Sequence, residues 1–251
     1  FQLPATSLRR AVAESYGRGP VKFAFEHALP VVLVRVERPT GEYVLQRRAG
    51  AAGAVFELIQ NGKLLMDSAE HASEEALAEI GLGACGARGD LQVLVGGLGF
   101  GFTLRALLRD PRVARAVVVE LEPLLVAFLA RPDVRAELPA PDLDDPRVRV
   151  CEGNVRDAIA AAADAYDLIL LDVDNGPASL SAVGNHDLYT DVGLRQCAAA
   201  LRPGGALPHR SITTTPARFA GACAFAAGAG GYVMPVGFFG DPRAFRIFRA
   251  G

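Results

Sequence analysis

LQVLVGGLGFGFTLRALL at Leu91–Leu108, followed by AVVVE at Ala116–Glu120, decides how the chain folds. Val93–Val95 is a short apolar run of the kind that forms a buried strand. Gly96-Gly97-Leu98-Gly99-Phe100-Gly101 follows directly, and from about Thr103 the apolar spacing becomes helical. Glycines cluster where the main chain must turn tightly and approach a ligand closely. Ala116–Val119 reads as a second buried strand, and Glu120 closes it. Strand, glycine turn, helix and acid-terminated strand make the opening unit of a parallel sheet.

The alternation continues downstream through PLLVAFLA, VRVCEG, VRDAIAAAA, YDLILLD and LYTDVGLRQCAAALRPGG. Short apolar strands between amphipathic helices imply helices on both faces of the sheet. Leu107, Leu108, Leu124, Leu125 and Phe128 recur at helical spacing and are predicted core. GYVMPVGFFGDPRAFRIFRA reads as two final strands about a Gly-Asp-Pro turn, an antiparallel hairpin. In the expected fifth strand, LPHRS, proline is awkward in an interior position. The strand is therefore expected to stop at Leu207, with His209 either turned toward the cleft or left in a surface loop.

Upstream, Ser73 is placed to cap a helix whose first turn holds Glu74 and Glu75 and whose apolar face holds Ala76, Leu77 and Ile80. Before it, Pro30–Glu37 and Tyr43–Arg48 alternate around Pro39-Thr40-Gly41. Val55–Gln60 and Lys63–Met66 flank Asn61-Gly62, the strongest two-residue hairpin signal. The expected organisation is a small antiparallel β domain over 1–70 and a Rossmann-like α/β domain over 71–251, with the boundary near Asp67–Ser73.

A chain of 251 residues that is 51% apolar can bury a large core. Its net charge of −2, with acids interrupting the arginines, argues against nucleic acid as the main partner. There is no long uncharged apolar run, so no membrane span is expected. FQLPATSLRR lacks an initiating Met, is read as a trimmed or processed start, and does not have the order of a secretory signal. Cys85, Cys151, Cys197 and Cys223 form no CxxC pair, and His27, His71, His186 and His209 have no ligand spacing, so neither a metal site nor a disulfide framework is expected. Apolar neighbours around Cys197 and Cys223 point to buried thiols in a reducing cytoplasm.

The loop reads GxGxG and lacks the GxGxxG spacing that seats a pyrophosphate on a helix N-terminus. No GxxxxGK[ST] occurs, which excludes P-loop chemistry. Glu120, about 20 residues after the loop, stands where a carboxylate can hold ribose hydroxyls. A nucleoside without a phosphate chain fits best, and S-adenosylmethionine is the commonest such cofactor. A nicotinamide dehydrogenase remains the third and weakest reading.

These residues resemble the spermidine synthase branch of class I S-adenosylmethionine-dependent transferases. FELIQNGKLLMDS, VLVGGLGFGFTLRALL, VVVELEP, CEGNVRDAI, YDLILLDVDNGPA and LYTDVGLRQCAAALRPGG follow that family's order from about Val55 to the C-terminus. The resemblance implies a seven-stranded mixed sheet beside an N-terminal β domain, and a homodimer or larger assembly. It implies that Gly97, Gly99 and Gly101 line the methionine and ribose end and that Glu120 holds the ribose. Asn154 falls where the family has an acid on the adenine amine, and Asp172 where it has its central catalytic aspartate.

The departures gather where a polyamine synthase is distinguished from its relatives. The loop acid that holds the donor's amine in the family is Phe100 here. A hairpin glutamine falls at Leu65, a tyrosine at Glu74, and an aromatic pair with a catalytic tyrosine at Gly193-Leu194. The loop after Asp172 is also short. The expected function is therefore methyl transfer from S-adenosylmethionine to a small-molecule acceptor, with Asp172 as orienting group or base and Asp174 or His71 assisting. Aminopropyl transfer from decarboxylated S-adenosylmethionine is the alternative, and a silent binding protein on the same scaffold is the second. Asp174 and Asn175 are read either as functional or as ordinary turn residues. The resemblance implies that Asn185 and Tyr189 start a helix over the active site, and Tyr189 is read as packing.

Overall fold

The computed structural model describes residues 29–39, 41–51, 53–173, 187–188, 190–210, 232–238 and 241–249, with 209–210 and the last two stretches as backbone. Two sheets result. The first is antiparallel, ordered β1 (Val31–Arg38), β2 (Gly41–Gly50), β3 (Gly53–Gln60), β4 (Lys63–Asp67). Asn61 and Gly62 both take positive φ, 51° and 77°, and close the β3–β4 hairpin with Gln60 opposite Lys63. That is the twisted two-residue turn that Asn-Gly selects.

The second sheet comprises β5 (Leu91–Gly96), β6 (Val113–Glu120), β7 (Val148–Glu152), β8 (Tyr166–Leu171), β9 (Leu201–Arg210), β10 (Tyr232–Phe238) and β11 (Asp241–Arg249). Their spatial order is β10-β11-β9-β8-β5-β6-β7. β5 to β9 run parallel, while β11 is antiparallel to both β9 and β10. This is the mixed seven-stranded sheet that the resemblance implies, with the antiparallel closing hairpin read from the last stretch of sequence. The strand order reverses at β5, which has β6 on one side and β8 on the other. A crevice outside the carboxyl ends of the strands at such a switch point is where open α/β sheets bind ligands.

Six described helices cover the sheet: α1 (Ala72–Ala84), α2 (Phe102–Leu108), α3 (Pro123–Leu129), α4 (Pro132–Glu137), α5 (Val155–Ala160) and α6 (Asp191–Ala200). The period-2 alternation of β5 sorts its side chains. Val93 and Val95 join α1, α2 and α3 in one core, whereas Leu94 joins α5 and α6 in the other. Leu107, Leu125 and Phe128 are buried as expected, with Leu108 and Leu124 packed against them. Leu45, Phe56 and Leu58 of the first sheet belong to the same core as α1–α3, so the two sheets share one apolar interior. Among the described residues no helix is long and apolar enough to cross a membrane.

Asp167, 3% exposed, ties three elements together. Its carboxylate accepts the Gln92 backbone N–H at 2.8 Å and pairs with Arg202 at 3.0 Å and with Arg88. A buried charge persists only when it is satisfied in this way.

Two expectations are corrected. Ser73 does not cap α1. The N-cap position is His71, and the Ser73 hydroxyl donates to the Glu74 carboxylate at 2.6 Å. His71 is held there by ring stacking rather than by capping (below), which shifts the helix start by tertiary contact. The fifth strand, β9, does not stop at Leu207 but runs to Arg210, with Pro208 opposite Ile247 and His209 opposite Leu171. Proline removes one donor but keeps its carbonyl, and β8 and β11 on either side hold the strand through neighbouring residues. The side chain of His209 lies outside the described residues.

Cys197 is completely buried in α6, and burial pushes its thiol up to about 12 from 9.0. Folding thus favours the neutral thiol. The contribution is intact below the ordinary thiol range and is lost as pH rises toward that raised value. Native protein treated with iodoacetamide at pH 8 is expected to be labelled at half-buried Cys151 and to leave Cys197 unmodified until denaturant is added. Peptide mass mapping that found Cys197 alkylated as fast as Cys151 would contradict this packing.

Candidate functional site

The glycine turn is stitched between two strand ends. Gly97 N donates to Val119 O, and Asp172 N donates to Gly96 O, both at 2.8 Å. Gly97 has φ 88°, and a Cβ there would overlap the Asp172 carbonyl. Gly101 has φ 82°, and a Cβ there would overlap the Pro141 ring. Gly99 differs: a Cβ would meet only the Met66 thioether, at 3.4 Å. Gly97 and Gly101 are therefore demanded by the protein's own close packing, and Gly99 leaves the widest space along the turn.

Glu120 closes β6 beneath this turn and is 6% exposed. One carboxylate oxygen accepts the Leu98 N–H at 2.6 Å and the other accepts the Glu122 N–H at 2.7 Å. A carboxylate has about four lone-pair sites. Two backbone donors orient it without exhausting it.

Asp172 follows β8, on the other side of the glycine turn. The Thr103 hydroxyl donates to its Oδ2 at 2.7 Å and also lies 3.2 Å from the Glu74 carbonyl. Thr103 is 1% exposed in the first turn of α2. Sequence reading did not single it out, because a threonine entering a helix carries no signal until the fold brings Asp172 beside it.

His71 stacks on Phe102, ring centroids 4.4 Å apart at 27°, and Arg105 lies 5.2 Å over the same ring. The His71 Nδ1 has no hydrogen-bond partner among the described residues, and Glu75 Oε1 is 3.7 Å away. Burial pushes the Glu75 carboxyl up, but the Arg105 hydrogen bond and charge, with help from His71 and Arg109, pull it below its ordinary value. His71 thus stands at the start of α1, stacked on the residue that precedes Thr103.

Asn154 is the N-cap of α5, its Oδ1 accepting the Arg156 N–H at 3.0 Å. The oxygen assigned from sequence to an adenine amine is already a helix cap, with its second lone pair remaining. Phe100, in place of the family's loop acid, is 3% exposed and directed into the core, 6.2 Å from the Phe128 ring. Leu194 is buried, and a Cβ on Gly193 would overlap the Asp187 carbonyl, so an aromatic pair does not fit at that point of α6. Asp174, Asn175, Asn185 and Tyr189 lie outside the described residues. No group of three or more His, Cys, Asp or Glu side chains able to hold a metal occurs among the described residues.

No protein-family model matches the chain. Polyamine aminopropyltransferase 2 of Streptomyces coelicolor is 33% identical over 170 residues, covering 66% of this chain and 30% of the relative. Polyamine aminopropyltransferase 2 of Ralstonia nicotianae is 32% identical over 118 residues, 47% of this chain and 23% of the relative. Putrescine N-methyltransferase 2 of Nicotiana tabacum is 36% identical over 120 residues, 45% of this chain and 30% of the relative. The chain thus spans less than a third of the length of these relatives. Spermidine synthase from Thermotoga maritima has the same fold, with a TM-score of 0.62 over 87% of this chain and 72% of that one at 19% identity. A spermidine synthase in complex with the transition state analogue AdoDATO gives 0.59 over 87% and 71%, at 20% identity. In fold this is a Rossmann-like α/β protein with an antiparallel N-terminal sheet. In fold the chain is like the spermidine synthases, and in these stretches of sequence it is similar to polyamine aminopropyltransferases and putrescine N-methyltransferases.

Proposed function

We propose that the chain is an S-adenosylmethionine-dependent transferase that moves a methyl group to a small-molecule acceptor. The residues present fit an adenosyl ligand. Glu120 is oriented with acceptor capacity to spare, Gly99 is open, and a Cβ on Gly153 would meet nothing within 4 Å. Bound S-adenosylmethionine would supply an electrophilic methyl carbon next to a sulfonium. The chain's part is to hold and align. Glu120 grips the ribose hydroxyls, the Gly97–Gly101 turn admits the nucleoside closely, and Asn154 frames the base. Asp172, fixed by Thr103, orients the acceptor's N–H or O–H and takes its proton as the new bond to carbon forms and the thioether leaves. Asp174 and His71 are the candidates for assisting roles.

The observation that carries methyl over aminopropyl transfer is the burial of Phe100. A decarboxylated donor presents an ammonium with no carboxylate of its own and needs an acid in the site. The parent donor's tail is zwitterionic and needs one less. Relatives of both kinds match this chain, named for polyamine aminopropyl transfer and for putrescine N-methyl transfer, so small amines are the first acceptors to try. Turnover assays with each donor, against a panel of amines and phenols, test the reading. Methylated product from the parent donor is expected. Product from the decarboxylated donor alone would replace this reading with the aminopropyl one.

A further inference from the structure

Among the described residues, the sheet face opposite α1–α3 is only partly covered. α5 packs on the β5–β8 side, where Val155 sits against Gly96 and Ile159 joins Leu94 and Ile169. Beyond it, over β6 and β7, a hollow of about 620 Å³ remains. Its floor includes half-buried Val117 and Cys151. At the amino ends of the strands its rim is polar: Gln92, Arg115, Arg149 and Tyr166. The ladders bring these together, with Gln92 opposite Arg115 and Val117 opposite Arg149. Arg115 and Val117 share a face by the two-residue period, as do Arg149 and Cys151.

The arginines carry the argument. Nearly every other arginine whose side chain is described pairs with a carboxylate, from Arg35 with Glu42 to Arg202 with Asp167. Arg115 and Arg149 pair with none among the described residues, although they stand together at one hollow. Burial and the neighbouring Cys151 raise the Tyr166 phenol, while both arginines act to lower it, so all four groups face the same space. The acids of the lining, Glu152 and Asp157, lie toward the other end, by Gly153 and Asn154.

We propose that this hollow is a second ligand site, for a small anion on a flat apolar body, with Arg115 and Arg149 on the charge and Val117 and Cys151 beneath the body. Two guanidiniums beside an apolar floor suit a carboxylate or a phosphate monoester. The arginine end lies at the amino ends of the strands, away from the glycine turn, and only the far end of the hollow, at Gly153 and Asn154, reaches toward the proposed adenosyl site.

The test is fluorescence titration with 2-naphthoate, 2-naphthyl phosphate and the uncharged 2-naphthamide. Either anion is expected to bind saturably and at least about tenfold tighter than the amide, as one or two charge-assisted contacts allow. The stronger of the two identifies the head group. The double variant Arg115→Gln/Arg149→Gln should lose the preference, and Arg115→Lys/Arg149→Lys should keep part of it. Both should retain the wild-type melting temperature and affinity for S-adenosylhomocysteine, because the replaced side chains are exposed. Equal affinity for anion and amide, no binding, an unchanged preference in the Gln variant, or displacement by S-adenosylhomocysteine would each overturn the proposal. Loss of S-adenosylhomocysteine binding by the wild type would instead count against the transferase reading.

Discussion

Asp172→Asn is expected to lower turnover by about 10²–10⁴-fold, the usual contribution of a positioned acid or base, while leaving donor affinity nearly unchanged. Asparagine keeps the shape and can still accept the Thr103 hydroxyl bond that now runs at 2.7 Å. It cannot take a proton. A drop in kcat with donor affinity preserved would locate the loss in the transfer step. Thr103→Val is the companion: the carboxylate stays but loses its fixed orientation, so the fall should be smaller. If Asp172→Asn turned over as fast as the wild type, Asp172 would be no more than the residue that links β8 to the glycine turn.

Gly97→Ala carries the largest expected effect on stability. The residue sits at φ 88°, where a left-handed conformation costs a non-glycine residue about 1–2 kcal/mol. Its new methyl group would also overlap the Asp172 carbonyl, which belongs to backbone held by Gly96 and cannot swing aside cheaply. A total of about 3 kcal/mol or more follows, or a fall in melting temperature of about 6–12 °C for a chain of this size. Adenosyl binding should fall with it, because the displaced segment carries both Asp172 and the turn. Gly99→Ala, facing only the Met66 thioether, should be better tolerated by the fold. Equal melting temperatures for wild type and Gly97→Ala would refute the close approach.

Much of this was legible in the sequence because the deciding signals are local. A buried strand, a glycine run and an acid one strand later depend on period and spacing alone, and β5, α2 and β6 stand where these put them. Asn61-Gly62 fixes a hairpin because its two residues accept positive φ. The failures have a common cause in tertiary contact. Ser73 has a capper's chemistry, yet the cap of α1 falls two residues earlier, at His71, which stacks on Phe102, a residue far along the chain. Pro208 would end an isolated strand, but two neighbouring strands carry β9 past it. Phe100 could be recognised as a departure, but its direction into the core beside Phe128 could not. Thr103 and the Arg115–Arg149 pair gain meaning only when the sheet assembles them.

The account rests on a nucleoside being held between the glycine turn and Glu120. Calorimetric titration of the purified protein with S-adenosylhomocysteine tests that directly, since the thioether product carries the whole adenosyl group and cannot react. Saturable one-to-one binding, with NADH giving no heat, is the predicted result. Absence of binding to this thioether and to either sulfonium donor by a folded sample would contradict it.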